Sequence, residues 1–208
     1  MSDVTLYGFP ISTYVRTARI ALEEKGVKYD LNPLPPHDAE LVKHQPFGKV
    51  PALKHGDFEI YETAAITRYV DEAFPGPALQ PKDVKDRARM EQWISVINGH
   101  VYPTVIGSVV LEHLAPKLMN RPTDTARIKA AVPNAELQLG LFERALAKSS
   151  NLAGSAPSLA DYFAAPILYY FSTTPEGGPM IAGKPKVAAW LKGMLDRKSA
   201  KATQPQLG

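Results

Sequence analysis

The sequence predicts two domains of different class, an α/β domain over residues 1–78 and an all-helical bundle over residues 84–208, with a linker at 79–83. Three observations predict this division. Apolar residues alternate as in strands only within the first third of the chain, and beyond it they recur at helical spacing. Between the two patterns lies a proline-rich stretch, Pro75 to Lys82, which has no periodicity and is typical of a linker.

The α/β domain is predicted to begin with a strand, a helix and a second strand. The apolar run Val4 to Phe9 predicts a short buried strand, and the segment Ile11 to Lys25 has the apolar spacing of a helix that stops at a glycine. Alternating apolar residues in Val27 to Leu31 predict the second strand. We expect it to lie parallel to the first and so to complete a β-α-β unit. Such units are almost always right-handed crossovers.

The same domain is predicted to end with a hairpin and a helix. After a short helical piece at 39–44, two apolar strands flank the turn His55-Gly56-Asp57, and the second strand leads directly into a helix that begins at Glu62. The resulting order, β-α-β followed by β-β-α, resembles a thioredoxin-like fold.

The C-terminal domain is predicted to be entirely helical. A first helix continues from Val84 to Met119 across Pro103, and a very apolar helix opens with the capping box Ser158-Leu159-Ala160-Asp161 and is therefore expected to be buried. Residues from Lys198 onward are expected to form a loose tail. The other helices are predicted at 123–148 and 187–195.

Composition excludes several classes of function. The 208 residues carry a formal net charge of +3 with basic and acidic residues interspersed, which disfavours nucleic-acid binding. The chain contains no cysteine, so it has no disulfide, thiolate metal site or cysteine nucleophile. The five histidines lack the spacing of a metal site, and the sequence shows neither a signal peptide nor an apolar run of about eighteen residues. We therefore expect a cytoplasmic protein that binds no metal and no membrane.

The stretch Gln45 to Tyr69 carries the strongest functional signal. Pro51 stands at the start of an apolar strand, where it cannot donate a ladder hydrogen bond. If the Val50–Pro51 bond is cis, the N–H and C=O of Val50 face outward and suit an extended peptide ligand. Glu62 and Thr63 then open a helix, whose first turn offers free N–H groups and a partial positive charge to an anion.

The order P-F-G-K-V-P-A-L, a turn, and Y-E-T-A-A-I-T-R-Y resembles the glutathione site of the cytosolic glutathione transferases. The resemblance implies that Val50, beside Pro51, pairs its backbone with the cysteinyl part of glutathione. It implies that Glu62 and Thr63 hold the γ-glutamyl group and that Lys49 lies near the glycyl carboxylate. The alternative for each residue alone is structural: a first-turn cap for Glu62 and Thr63, and an edge-strand start for Pro51.

Ser12 is the predicted catalytic residue. The pattern P-I-S-T-Y-V-R resembles the serine-type transferases, especially phi-like and bacterial members, in which this serine donates to the glutathione sulfur. The free thiol has a pKa of about 8.5 to 9, and lowering it by about two units requires roughly 2.7 kcal/mol. A hydroxyl at a helix N-terminus can supply much of this stabilisation. The alternative is that Ser12 only caps the helix.

Four neighbouring residues have related predicted roles. Tyr7 would be the donor in a tyrosine-type transferase, but it stands one position too early, so its side chain is expected to point into the core. Thr13 is a candidate for the helix cap, and either it or Tyr14 could share the role of Ser12. The resemblance places His37 at the glycyl carboxylate, with Asp38 where phi-like relatives have lysine; a surface histidine is the alternative.

The second substrate is expected to be a hydrophobic electrophile. Its pocket is predicted to include Tyr14, Tyr102, Ile106, His113 and Phe163, although aromatic and apolar residues at helical spacing are also typical of a core. The family resemblance implies a detoxification enzyme that acts as a homodimer, with the helices that begin at Glu62 and Val84 at the interface. The alternatives are glutathione-dependent reduction of organic peroxides and a non-catalytic scaffold of the same fold.

Overall fold

The structure, a computed structural model, describes residues 3–205. These residues form two compact units. The first comprises residues 3–80 together with residues 196–205, and the second is Pro81–Leu195. The domain boundaries predicted at residues 78 and 84 stay a prediction.

The first unit is built on a mixed sheet. Four strands lie in the order β2-β1-β3-β4, with β1 and β2 parallel and the other neighbours antiparallel. This confirms the thioredoxin-like β-α-β, β-β-α order expected from the sequence. The strands are β1 (Val4–Tyr7), β2 (Asp30–Asn32), β3 (Ala52–His55) and β4 (Phe58–Tyr61).

Three helices accompany the sheet: α1 (Thr13–Glu24), α2 (Ala39–His44) and α3 (Thr63–Ala73). The helices α1 and α3 pack against each other. Leu22 of α1 and Val70 of α3 are fully buried. Burial of such a side chain is worth about 1.5 to 3 kcal/mol, so this packing holds the two helices together.

The strand register brings three loops to one edge of the sheet. Tyr7, at the end of β1, pairs with Ala52 at the start of β3, and Ala52 pairs with Tyr61 at the end of β4. The loop after β1, the Val50–Pro51 segment before β3 and the β4–α3 junction at Glu62 therefore lie side by side. This edge contains most of the residues predicted to bind glutathione.

The C-terminal residues form a helix, which corrects the prediction of a loose tail. Helix α10 (Lys198–Ala202) packs on α1, and Arg197 donates two hydrogen bonds to Glu24 at 2.8 and 2.6 Å. The buried guanidinium of Arg16 donates to the C=O of Ala200 at 3.2 Å. The prediction was wrong because these contacts are polar and join residues far apart in the sequence. The last described residues of the predicted 84–208 domain thus lie in the first unit.

The second unit consists of helices. A continuous helical stretch contains α4 (Val84–Val96), a π-helix (Ile97–Val110) and α5 (Leu111–Leu118), so the chain passes Pro103 without ending the helix, as predicted. The π-helical hydrogen bonding within it was not predicted. The helices that follow are α6 (Thr125–Leu146), α7 (Leu159–Ser172), α8 (Gly177–Ala182) and α9 (Pro185–Asp196).

The core of this unit surrounds α7, whose side chains are buried along almost its whole length, as the sequence predicts. The predicted capping box is present at its start, where the N–H and hydroxyl of Ser158 both donate to Asp161 Oδ2 at 2.9 Å. Trp93 of α4 stacks on Phe142 of α6 with ring centroids 4.7 Å apart. These contacts tie α4, α6 and α7 to one core.

The stretch Val84–Leu118 is long and apolar enough to cross a membrane by length and composition alone. Core helices of soluble proteins pass the same test, so this is weak evidence for a membrane span. In the structure this stretch packs against α6 and α7, and its apolar residues Ile97, Val101 and Val105 are buried in the core of the second unit.

Candidate functional site

The loop after β1 closely approaches the segment before β3. A Cβ atom added to Gly8 would lie 2.4 Å from Val15 Cγ2 and 3.3 Å from Val50 Cβ. The close approach to Val15 admits no side chain larger than hydrogen at this position. Gly8 therefore allows the start of α1, where Ser12 lies, to come next to Val50. No local pattern in the sequence predicts this close approach at Gly8.

The Val50–Pro51 peptide bond is cis, the condition on which the predicted backbone site rests. Pro51 is buried and Val50 is half-buried. Among residues 3–205, no backbone group forms a hydrogen bond with the N–H or the C=O of Val50. This pair of groups is therefore available to the backbone of a bound peptide.

Glu62 is exposed at the N-terminus of α3 and has a positive φ of 71°. Such a conformation costs a non-glycine residue about 1 to 3 kcal/mol and is concentrated at functional sites. Its carboxylate makes no capping hydrogen bond to the helix, so the structural alternative of a first-turn cap does not account for it. Thr63 is buried at the first position of the helix.

Ser12 is half-buried and is the N-cap residue of α1. Its Oγ accepts the N–H of Val15 at 3.4 Å, which is a long contact. A hydroxyl has one donor and two acceptor positions, so capping leaves its O–H free to donate. The capping role and the predicted catalytic role are therefore compatible in the same residue.

The neighbours of Ser12 differ in their surroundings. Thr13 is the first residue of α1 and is buried, and Ser12 takes the cap that was considered for Thr13. Tyr14 is half-buried. Tyr7 is also half-buried and its ring stacks on His44 with centroids 4.0 Å apart, while burial raises the pKa of its phenol. The prediction that Tyr7 points into the core was wrong, because Val4 and Leu6 occupy the buried face of β1 and Tyr7, on the other face, packs against His44 of α2. That Tyr7 is not the thiol donor stays a prediction.

His37 and Lys49 flank the loop that precedes Val50. The N–H of His37 donates to the C=O of Gly48 at 2.8 Å, and a Cβ on Gly48 would lie 2.5 Å from His37 Nδ1. Gly48 also has a positive φ of 64°. The imidazole of His37 therefore packs against Gly48, which precedes the exposed Lys49. Two cationic or polar side chains are thus available on this side of the loop.

Four residues predicted for the acceptor pocket lie in the second unit. Phe163 is 0 % exposed and Ile106 is nearly as buried, so both are core residues in this structure, which does not support a pocket role for them. Tyr102 in the π-helix is half-buried, and burial raises the pKa of its phenol. His113 Nε2 lies 2.7 Å from Glu176 Oε2 and is partly exposed. Tyr102 and His113 are thus the two of these four that are partly exposed, and their role in a pocket stays a prediction.

Sequence reasoning missed Gln45, a fully buried polar residue whose side chain bonds to the backbone of the Lys49 segment. The only feature of the sequence that could have indicated this role is the position of Gln45, a long polar residue directly before Pro46. Within residues 3–205 no group of three or more histidine or acidic side chains could hold a metal ion.

The comparisons with known proteins agree with this architecture. Residues 6–78 match the family model "Glutathione S-transferase, N-terminal domain" and residues 125–193 match "Glutathione S-transferase, C-terminal domain". The chain is 32 % identical to glutathione S-transferase 4 of Zea mays, over 95 % of this chain and 90 % of the relative. It is also 32 % identical to glutathione S-transferase F10 of Arabidopsis thaliana, over 95 % and 94 % of the two chains.

Solved structures give the same result. The crystal structure of glutathione transferase F7 from Populus trichocarpa superimposes with a TM-score of 0.86 at 27 % identity, covering 96 % of this chain and 97 % of that one. A thioredoxin-like unit followed along the chain by a helical unit is the architecture of the glutathione S-transferases to which the chain is similar. The chain belongs to the glutathione S-transferase family, and its relatives confirm the predicted resemblance to phi-like members.

Proposed function

We propose that this protein is a glutathione transferase that binds glutathione, stabilises its thiolate and adds it to a hydrophobic electrophile. The observation that carries the proposal is the convergence of Ser12, Val50 and the Glu62–Thr63 helix start at one edge of the sheet. Maize glutathione S-transferase I, a structural relative at a TM-score of 0.84 and 27 % identity, was solved with an atrazine–glutathione conjugate. That complex supports conjugation as the reaction.

Each part of glutathione has a chemically matched partner at this edge. The free N–H and C=O of Val50 pair with the backbone of the cysteinyl residue, as in a short antiparallel ladder. The exposed carboxylate of Glu62 accepts a hydrogen bond from the γ-glutamyl ammonium of glutathione. The first N–H groups of α3 bind the carboxylate of the same γ-glutamyl residue. Lys49 and His37 are placed to hold the glycyl carboxylate. With both ends fixed, the thiol points towards Ser12.

Ser12 then stabilises the thiolate. Its O–H donates to the sulfur while its Oγ caps α1, and the helix dipole adds about 0.3 to 1 kcal/mol in favour of the anion. A hydrogen bond to a charged group contributes about 1.5 to 3 kcal/mol, which corresponds to a fall of about one to two units in the thiol pKa. The thiolate attacks the electrophilic carbon, the leaving group departs with the electron pair of its bond, and a thioether forms.

The test compares wild type with Ser12→Ala and Ser12→Thr. We expect all three proteins to bind glutathione in calorimetry, because Val50, Glu62 and Lys49 are intact. Turnover of an aryl halide should fall by about tenfold or more in Ser12→Ala and should be largely retained in Ser12→Thr, which keeps a hydroxyl. Unchanged turnover in Ser12→Ala would move the donor role to Thr13 or Tyr14.

Tyr102 and His113 are the proposed acceptor-contacting residues of the second unit. Tyr102 presents a ring and a phenol, and His113 presents an imidazole paired with Glu176. An apolar acceptor with one polar leaving group suits this combination. Tyr102→Ala is expected to raise the KM for the acceptor and to leave the KM for glutathione unchanged.

We also propose a homodimer that contacts through α3 and α4 and works in the cytoplasm in detoxification. On the second unit, α4 and α6 border a groove with a cavity volume of about 620 Å³, lined by apolar and basic side chains such as Trp93, Leu141, Arg89 and Arg144. Val84 at the start of α4 is 68 % exposed. Two exposed apolar side chains, Val84 of α4 and Leu141 of α6, support a protein interface there. Sedimentation over a concentration series tests it.

A further inference from the structure

Gln45 is buried to an unusual degree for an uncharged polar residue at the end of a surface helix. It is the C-cap residue of α2, and only 1 % of its surface is exposed. Its side-chain Oε1 accepts the N–H of Lys49 at 3.0 Å. Buried polar groups are kept in proteins where their hydrogen bonds fix a conformation, so this amide has a defined partner.

The backbone of Gln45 holds the same loop. Its N–H donates to the C=O of Leu41 at 2.8 Å, which continues α2, and its C=O accepts the N–H of Gly48 at 3.0 Å. The C=O of Gly48 in turn accepts the N–H of His37 at 2.8 Å. The two residues before Val50 therefore both donate their N–H groups to Gln45: Gly48 to its backbone C=O and Lys49 to its side-chain Oε1.

The hydrogen bonds that Gln45 forms reach as far as Lys49, the residue directly before Val50, which is the proposed peptide-binding residue. The N–H and C=O of Val50 are left without a backbone partner, while Lys49, the preceding residue, is fixed through its N–H. A loop that is already ordered loses less conformational entropy when a ligand binds to it. Without the Lys49 bond, the segment would have to be ordered by glutathione itself.

We propose that Gln45 is a positioning residue for glutathione binding, which acts through the N–H of Lys49 to hold Val50 in its binding conformation. The inference rests on the proposed function and assigns a role to a residue that does not itself touch the ligand. Loss of the bond is expected to raise the KM and Kd for glutathione by about tenfold, the factor that corresponds to about 1.4 kcal/mol.

The experiment uses three variants of the full chain. Gln45→Met keeps the length and approximate volume of the side chain and removes the acceptor. Gln45→Glu retains an oxygen at the acceptor position. Leu41→Val is the control for stability, because Leu41 is buried on the same helix and its apolar side chain takes no part in the hydrogen bond between Gln45 and Lys49. Glutathione Kd, the KM for each substrate, the bound thiol pKa and the hydrogen exchange of the Lys49 amide are measured.

We expect Gln45→Met to raise the Kd and KM for glutathione about tenfold and to speed exchange of the Lys49 amide, with the acceptor KM and the bound thiol pKa unchanged. Gln45→Glu should fall between wild type and Gln45→Met, since its acceptor remains but burial of a carboxylate is unfavourable. Leu41→Val should lower the urea midpoint without changing the KM. Equal glutathione affinity in wild type and Gln45→Met would overturn the inference, as would an equal rise in Leu41→Val. If wild type itself fails to bind glutathione, the proposed function is overturned and the inference with it.

Discussion

Replacement of Asp161 by alanine is expected to destabilise the second unit strongly. The Asp161 side chain is fully buried and accepts four hydrogen bonds, from the N–H and hydroxyl of Ser158, the N–H of Leu152 and the indole N–H of Trp190, all between 2.9 and 3.0 Å. Alanine leaves four donors buried without an acceptor. Each such group costs about 1 to 3 kcal/mol, and partial relaxation reduces the sum.

We therefore expect a loss of about 4 kcal/mol in the free energy of unfolding, within the range found when one partner of a buried polar network is removed. Both tryptophans of the chain, Trp93 and Trp190, lie in the second unit, so tryptophan fluorescence in urea reports the unfolding of that unit. For a chain of this length the melting temperature should fall by about 10 °C.

Two variants serve as controls for Asp161→Ala. Asp161→Asn keeps one carbonyl acceptor and should lose less stability. Asp57→Ala removes an exposed carboxylate from the β3–β4 turn and should change stability by no more than about 0.5 kcal/mol. A loss below about 1 kcal/mol in Asp161→Ala would refute the view that this carboxylate organises the core around α7.

Four further predictions follow from the structure. Glu62→Gln should raise the KM for glutathione by about tenfold or more, since a charge-assisted bond to the γ-glutamyl ammonium is lost; an unchanged KM contradicts the assignment. Hydrogen bonds from Arg121 hold the pKa of Glu112 well below 4.5, at about 2. The stabilisation from Glu112 is therefore complete above about pH 4.5 and disappears as the pH falls towards 2, and Glu112→Gln should flatten the pH dependence of the melting temperature in this range. Val84→Glu should shift the sedimentation profile towards monomer, and a dimer of wild-type affinity would exclude Val84 from the interface. Arg197→Ala should lower the melting temperature by removing both bonds to Glu24, and an unchanged value would show that these two bonds contribute no stability.

Local patterns in the sequence were sufficient to predict four short strands and the order β-α-β, β-β-α along the chain, although the second strand lies at Asp30–Asn32 and not at Val27–Leu31. Val50–Pro51 and Glu62–Thr63 stand at the ends of elements that neighbouring strands bring together, and their role in binding glutathione stays a prediction. The capping box at Ser158 was predictable for the same reason, because all its atoms lie within four residues.

Features that depend on distant contacts were not predictable. The C-terminal helix is held by Arg197 and Glu24, which are separated by 173 positions and carry no apolar pattern. The π-helix has the same apolar composition as an α-helix, so its wider hydrogen-bond spacing leaves no mark in the sequence. Phe163 was predicted in a pocket because aromatic residues suit both pockets and cores, and only the packing around α7 shows that it is buried.

The most direct test of the account is the ultraviolet absorbance of the thiolate of bound glutathione, titrated against pH in wild type and Ser12→Ala. We predict that the bound thiol of the wild type titrates about two pH units below free glutathione and that Ser12→Ala loses one to two of these units, roughly the contribution of one charge-assisted hydrogen bond. Identical titration curves in the two proteins would contradict the central claim that the hydroxyl of Ser12 stabilises the thiolate.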